Sequence, residues 1–167
     1  IVFTVIVLSP QTDAASTYEV KTLKIDTSLK VSPSPSAKNS VKLKKGTFVT
    51  QLKTESGGWA YVTVNKKKGY IALTSLSKPK STTKIVNSKN SLVVRTAASK
   101  TASKAGSIKT GSVVSVYKTS DSKWSFVQFG NTTGYVNANA LKAIPTIKTA
   151  YIKDYVPKCD KTYLYAG

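Results

Sequence analysis

Alternation of apolar and polar side chains is the dominant pattern along the chain. In the run 59–64, Ala60, Val62 and Val64 occupy every second position, with Trp59, Tyr61 and Thr63 between them. Successive side chains of a β-strand point to opposite faces, so this spacing predicts a strand with one buried face. Similar short runs rich in Val, Thr and Tyr recur between turn residues, and none has the longer spacing of an amphipathic helix. The pattern predicts an all-β protein.

The predicted strands follow an order that occurs twice. Trp59 and Trp124 each open a strand, and each is followed ten residues later by a Gly-Tyr pair that begins at Gly69 or Gly134. The two sets are 65 residues apart, and a turn glycine before them and a leucine after them keep the same offset. Such self-similarity indicates a duplicated unit. We therefore predict two small, partly open β-barrels in tandem.

Proline-containing and turn-forming segments set the predicted boundaries. We place the first copy at 19–77, a linker at 78–82 and the second copy at 83–142. Leu29 and Leu92 are only 63 residues apart, which predicts that the Ser-rich loop of the second copy is two residues longer.

Both ends of the chain differ from the repeated part. Residues 1–16 combine an apolar run with small residues, which predicts the remnant of a secretory signal peptide; the alternative is a buried first strand. Residues 143–167 contain neither Trp nor a Gly-Tyr pair. We expect a linker there and the truncated start of a further domain, and we interpret Cys159 as an incidental thiol or as part of that domain.

The formal charge of +19 comes almost entirely from lysine, with Arg95 as the single arginine. Wall polymers, acidic membrane surfaces and nucleic acid are all possible polyanionic partners. Lysine is a point charge rather than a planar fork, so base-specific readout of nucleic acid is poorly supported. Lys66, Lys67 and Lys68 form a local cluster that is a candidate contact for teichoic-acid phosphate. The alternative is a solvated lysine surface that keeps the protein soluble.

Catalytic chemistry is poorly provided for in this sequence. The chain has no histidine, which wall peptidases need as a base and zinc amidases need as a metal ligand. The seven acidic residues are scattered through turns and tails rather than paired as in glycosidases. We expect no catalytic residue, no metal and no cofactor within these residues.

Four motifs in the same order give both copies a resemblance to bacterial SH3 domains. Leu92, Val94 and Arg95 match the Leu-x-Val-Arg motif, whereas the first copy has Ser32 at the arginine position. The other motifs, present in both copies, are a Lys-x-Gly strand opening, the Trp strand and the Gly-Tyr return strand that ends in Leu. The resemblance implies a partly open barrel of five to seven strands.

The resemblance also implies a function. Secreted Gram-positive proteins carry such modules in tandem as non-catalytic domains that bind peptidoglycan at the cell wall. One alternative is the targeting region of a peptidoglycan hydrolase whose catalytic domain lies beyond Gly167. A second is binding to polyanions by charge alone. We expect a monomer that is secreted and associated with the cell wall, without a transmembrane span.

The predicted binding surface centres on aromatic residues. Trp59, Tyr61 and Trp124 are candidate ligand contacts, although the indoles could instead pack on an adjacent loop. Arg95 could meet a peptide carboxylate or bond a loop carbonyl, and we favour the carbonyl. We interpret Tyr70 and Tyr135 as structural. The groove residues of eukaryotic relatives are replaced, and we predict no proline-rich ligand. The replacements are Ala72, Ser75, Asn137 and Ala140.

Overall fold

The computed structural model describes residues 18–144, which contain fourteen β-strands and no α-helix. The strands of module 1 are β1 (Glu19–Leu23), β2 (Thr27–Lys30), β3 (Asn39–Leu43), β4 (Phe48–Glu55), β5 (Trp59–Val64), β6 (Lys67–Ala72) and β7 (Leu76–Ser77). Those of module 2 are β8 (Ser81–Val86), β9 (Leu92–Arg95), β10 (Lys104–Ile108), β11 (Val113–Lys118), β12 (Trp124–Phe129), β13 (Thr132–Asn137) and β14 (Leu141–Ala143). The predictions for 1–16, for 145–167 and for Cys159 lie outside the described residues.

The two modules have the same topology. Module 1 is an antiparallel sheet with the order β3-β2-β6-β5-β4-β1-β7, and module 2 repeats this order from β10 to β14. The first and last strands of each order do not pair with each other, so neither sheet closes into a barrel. The all-β prediction with two SH3-like units is confirmed, and seven strands is the upper end of the expected range.

Each sheet encloses its own apolar core, as the alternating pattern predicts. In β5 the residues Ala60, Val62 and Val64 are buried, while the intervening residues are half exposed. The core of module 1 contains Leu23, Leu29, Leu43, Val49, Ala60, Val62, Val64, Ile71 and Leu76. The core of module 2 contains Val86, Leu92, Val94, Ile108, Val114, Val116, Val127, Val136 and Leu141. A short 3₁₀ turn precedes the closing leucine of each module.

The predicted position of the two-residue insertion is wrong. Lys30 pairs with Tyr70, and Arg95 pairs with Tyr135, so the Ser-rich loops of the two modules keep the 65-residue offset. The extra residues lie earlier, because β1 and β2 are joined by residues 24–26 whereas β8 and β9 are joined by residues 87–91. The sequence alignment failed because Leu29 corresponds to Val94 and not to Leu92. Both Leu29 and Val94 are completely buried.

The predicted linker 78–82 is shorter in the structure. Strand β8 begins at Ser81, which pairs with Tyr117, and Thr82 pairs with Val116. The hairpin between β5 and β6 has a short tip. The tip of module 1 consists of Asn65 and Lys66, both with positive φ angles of 48° and 66°. A two-residue tip of this kind matches the twist of the flanking strands.

The modules are joined by an aromatic cluster that the sequence did not predict. Phe126 of β12 is 5% exposed and stacks on Phe48 of module 1, with 4.9 Å between ring centroids and 15° between planes. Tyr135 meets the edge of Phe126 at 5.0 Å. Tyr117 and Val20 complete the cluster, at 8% and 2% exposure. Module 1 therefore covers the outer face of the central strands of module 2.

Hydrogen bonds frame this aromatic cluster. The Gln128 Nε2 donates to the carbonyl oxygen of Tyr18 at 2.8 Å, and the Tyr117 hydroxyl donates to the Gln128 Oε1 at 3.1 Å. The hydroxyls of Thr50 and Thr133 lie 2.7 Å apart across the interface. Burial raises the pKa of Tyr135 above its ordinary value, and burial together with the charge of Glu19 does the same for the pKa of Tyr117.

Candidate ligand-binding groove

A groove of about 690 Å³ lies at the start of β12 in module 2. Trp124, the first residue of β12, is half buried and lines the groove. Two lysines come from the neighbouring loops, and two asparagines come from the end of β13 and the following 3₁₀ turn. These residues are Lys100, Lys123, Asn137 and Asn139, together with Ser122. An indole beside amide and ammonium groups offers a stacking surface with hydrogen-bond donors around it.

The backbone around Trp124 is fixed by hydrogen bonds. The Thr119 hydroxyl lies 2.6 Å from the carbonyl oxygen of Trp124, and the Asp121 carboxylate accepts from the Lys123 N–H at 2.8 Å. The Ala138 N–H donates to the carbonyl oxygen of Lys123 at 3.0 Å. The Asn137 side chain accepts from the backbone N–H of Asn139 at 2.9 Å. The indole thus projects from a backbone that is held on both sides.

Module 1 keeps the tryptophan but not its polar neighbours. Trp59 opens β5, is half buried and pairs with Ala72. At the 65-residue offset, Ala72 replaces Asn137, and Thr74 replaces Asn139. The loop before Trp59 contains Gly57 and Gly58, with φ angles of 71° and 80°, where module 2 has Ser122 and Lys123. The corresponding positions of module 1 therefore lack the amide and ammonium groups.

Tyr61 lies on the same face of β5 as Trp59 and is half buried. Its ring is 5.0 Å from the ring of Tyr70, and the Lys53 ammonium lies 5.7 Å from the Tyr61 ring centroid. Lys53 also pairs with Glu55 at 2.6 Å, and this hydrogen bond raises the pKa of Lys53. Module 1 thus presents a tyrosine pair at the position where module 2 has the covered pair Phe126 and Tyr135.

Arg95 holds a loop. Its Nη1 donates to the carbonyl oxygen of Ala102 at 2.7 Å, which is the loop contact favoured from the sequence. Lys30 takes the same place in module 1, where its Nζ donates to the carbonyl oxygens of Pro35 at 2.9 Å and Ala37 at 3.0 Å. Ala102 and Lys100 belong to the same loop, so Arg95 positions one wall of the groove.

The lysine cluster predicted as an anion contact begins at the tip of the β5–β6 hairpin and continues into β6. Lys66, Lys67 and Lys68 are all exposed. Lys66 faces a second space between the modules, which Asn131 and Thr132 of module 2 also line. None of the three lysines lines the groove around Trp124, so the cluster is a separate surface.

Five groove residues were not identified from the sequence: Lys100, Ser122, Lys123, Asn137 and Asn139. The sequence pointed to Asn137 only as a residue that replaces a groove residue of the eukaryotic relatives. A comparison of the two copies could have identified them, because their types differ between the copies. The corresponding residues of module 1 are Pro35, Gly57, Gly58, Ala72 and Thr74.

Comparison with known families decides what module 2 is. Residues 90–142 match the family model of the bacterial SH3 domain. These residues form a bacterial SH3 domain. The match extends from Asn90, just before β9, to Lys142 in β14, and so includes the whole groove around Trp124. The bacterial SH3 domain is a binding module and not a catalytic one.

Solved structures give only distant similarity. The structure of NlpC2 from Trichomonas vaginalis is 16% identical, with a TM-score of 0.38, over 76% of this chain and 48% of that one. The structure of NlpC1 from the same organism is 19% identical, with a TM-score of 0.38, over 89% of this chain and 54% of that one. The chain thus spans about half the length of these proteins. No curated protein matches it.

Two further properties concern residues 18–144 only. No group of three or more His, Cys, Asp or Glu side chains in this range could hold a metal ion. No helix within the same range is long and apolar enough to cross a membrane.

Proposed function

We propose that this protein is a non-catalytic module that binds peptidoglycan and holds a secreted protein at the cell wall. The observation that carries the proposal is the groove around Trp124 inside a bacterial SH3 domain. In this proposal module 1 is a second, diverged bacterial SH3 domain, because it repeats the strand order and the Trp and Gly-Tyr positions.

The groove side chains suit a peptide or glycan of the wall. The Trp124 indole offers a flat apolar face, while Asn137 and Asn139 can bond amide or hydroxyl groups. Lys100 and Lys123 can attract a carboxylate of a stem peptide without a fixed geometry. Arg95 acts indirectly by holding the loop that carries Lys100. Trp59 and Tyr61 add a weaker contact surface in module 1.

Replacement of Trp124 by alanine is expected to weaken binding to purified peptidoglycan by roughly tenfold to thirtyfold, as for a central aromatic anchor. Sedimentation with wall fragments measures this loss, and circular dichroism confirms that the variant is folded. Trp59→Ala is the matched comparison, and we expect a loss below about threefold because the corresponding positions around Trp59 carry no amide or ammonium group. Equal losses for the two variants would reject the assignment to module 2.

A salt series separates this function from attraction by charge alone. Binding through the groove should persist at physiological ionic strength and should still depend on Trp124. Binding that disappears near that ionic strength, and is unaffected by Trp124→Ala, would instead indicate a polyanion binder.

A further inference from the structure

A second cavity, of about 670 Å³, lies between the two modules. Module 1 contributes the turn before β4 with Lys45 and Phe48, and the connection to module 2 contributes Lys80. Module 2 contributes Tyr135 and the segment that starts at Lys118. None of the residues that line this inter-module cleft lines the groove around Trp124.

The walls of the inter-module cleft have a fixed relative position. Phe48 lines the cleft and is at the same time stacked on Phe126 at 4.9 Å. The bonds from Gln128 to Tyr18 and between Thr50 and Thr133 hold the same interface. A site built from both modules is therefore formed before a ligand arrives, which reduces the entropic cost of binding.

The net charge of the residues that line the cleft is positive. Lys45, Lys80 and Lys118 are exposed, and within residues 18–144 none of the three ammonium groups forms an ion pair. The adjacent Lys44 differs, because its ammonium pairs with Asp26 at 2.9 Å and helps to hold the pKa of that carboxyl below its usual range. Asp121 is the one acidic residue among those that line the cleft.

The uncharged lining has two parts. The rings of Phe48 and Tyr135 provide an apolar surface, and both side chains are only half buried. The Ser120 hydroxyl lies beside it, and the Thr22 and Thr119 hydroxyls, which donate to backbone carbonyl oxygens, can still accept a hydrogen bond. An apolar ring surface edged by hydroxyls suits the C–H face of a sugar ring, and the volume lies within the usual range for small-ligand sites.

We propose that the inter-module cleft binds an anionic sugar unit, a pyranose ring that carries a phosphate or a carboxylate. The ring lies against Phe48 and Tyr135, and the anionic group meets Lys45, Lys80 and Lys118. Lysine does not impose the bidentate geometry of arginine, so the three ammonium groups accept either anion. This site is separate from the peptidoglycan groove and does not depend on it.

The test is a titration of the ¹⁵N-labelled protein with glucose 6-phosphate, glucuronate, glucose and inorganic phosphate, followed by NMR. Both anionic sugars should shift the amide signals of 45–48, 80 and 118–121, whereas glucose and inorganic phosphate should bind at least fivefold more weakly. A response to only one of the two anionic sugars identifies phosphate or carboxylate as the preferred group and still supports the site.

Lysine variants give the second arm of the test. Lys45→Gln with Lys80→Gln and Lys118→Gln should weaken binding of the anionic sugars at least tenfold. The matched control replaces Lys89, Lys104 and Lys109, three exposed lysines outside the cleft and outside the 66–68 lysine cluster, and should change affinity less than twofold. Equal losses in both triple variants, or inorganic phosphate binding as tightly as the sugars, would overturn the proposal. Trp124→Ala should leave this binding unchanged.

Discussion

Phe126→Ala is expected to lower the free energy of unfolding by about 3–4 kcal/mol, the usual cost of removing a buried phenylalanine ring. Phe126 is 5% exposed and contacts Phe48, Tyr117 and Tyr135. The variant leaves a cavity between the modules as well as losing burial. Chemical denaturation monitored by fluorescence measures the change.

Tyr61→Ala is the matched control for Phe126, because Tyr61 occupies the same position of module 1 without a covering module. We expect a loss of about 1 kcal/mol there. A separate readout follows Tyr135, whose raised pKa should fall towards its ordinary value when Phe126 is removed and the phenol is wetted. Equal destabilisation by both variants, with an unchanged pKa of Tyr135, would contradict a stabilising interface.

Gly134→Ala is expected to destabilise module 2 by about 3 kcal/mol, because the added Cβ would overlap backbone and core atoms of β9 that cannot move away without disturbing the sheet. A Cβ at Gly134 would lie 2.5 Å from the carbonyl oxygen of Arg95 and 2.7 Å from the Val94 Cγ1. Gly111→Ala is the control, since its φ of 85° carries strain but its Cβ would meet nothing within 4 Å. We expect Gly111→Ala to lower the free energy of unfolding by about 1 kcal/mol.

Thermal unfolding of the two glycine variants distinguishes contact from backbone strain. A loss at Gly134 no larger than that at Gly111 would mean that β9 moves aside, and the explanation by close approach would be wrong. Gly69 provides an independent repeat of the experiment, because its Cβ would lie 2.5 Å from the carbonyl oxygen of Lys30.

The close approach of β9 to Gly134 explains why the repeated Gly-Tyr pairs could be recognised from the sequence. Strands β2 and β9 cross the return strands at Gly69 and Gly134, so the Gly-Tyr pairs mark a packing position that both copies must keep. The alternating pattern likewise predicted the buried face of β5, because burial depends only on local spacing there. These features depend on residues within one module.

Features that depend on both modules could not be obtained in this way. Phe126 lies in β12 with its side chain directed away from the core of its own module. The alternating pattern of β12 therefore predicts that Phe126 is exposed. Its burial depends on Phe48, 78 residues earlier in the chain. Three aromatic residues on one outer face, Tyr117, Phe126 and Tyr135, were the available signal. The polar groove residues were missed for a related reason, since they come from two loops, the end of β13 and the following 3₁₀ turn.

The contact between the modules is directional, and this limits how far it can extend. Module 1 uses Val20 and Phe48 to cover module 2, but the corresponding residues of module 2 are Thr83 and Val113. A head-to-tail contact that could recur would build filaments from successive chains. Module 2 has smaller side chains at these two positions and no counterpart to the ring of Phe48, so we expect this contact not to recur on that surface of module 2.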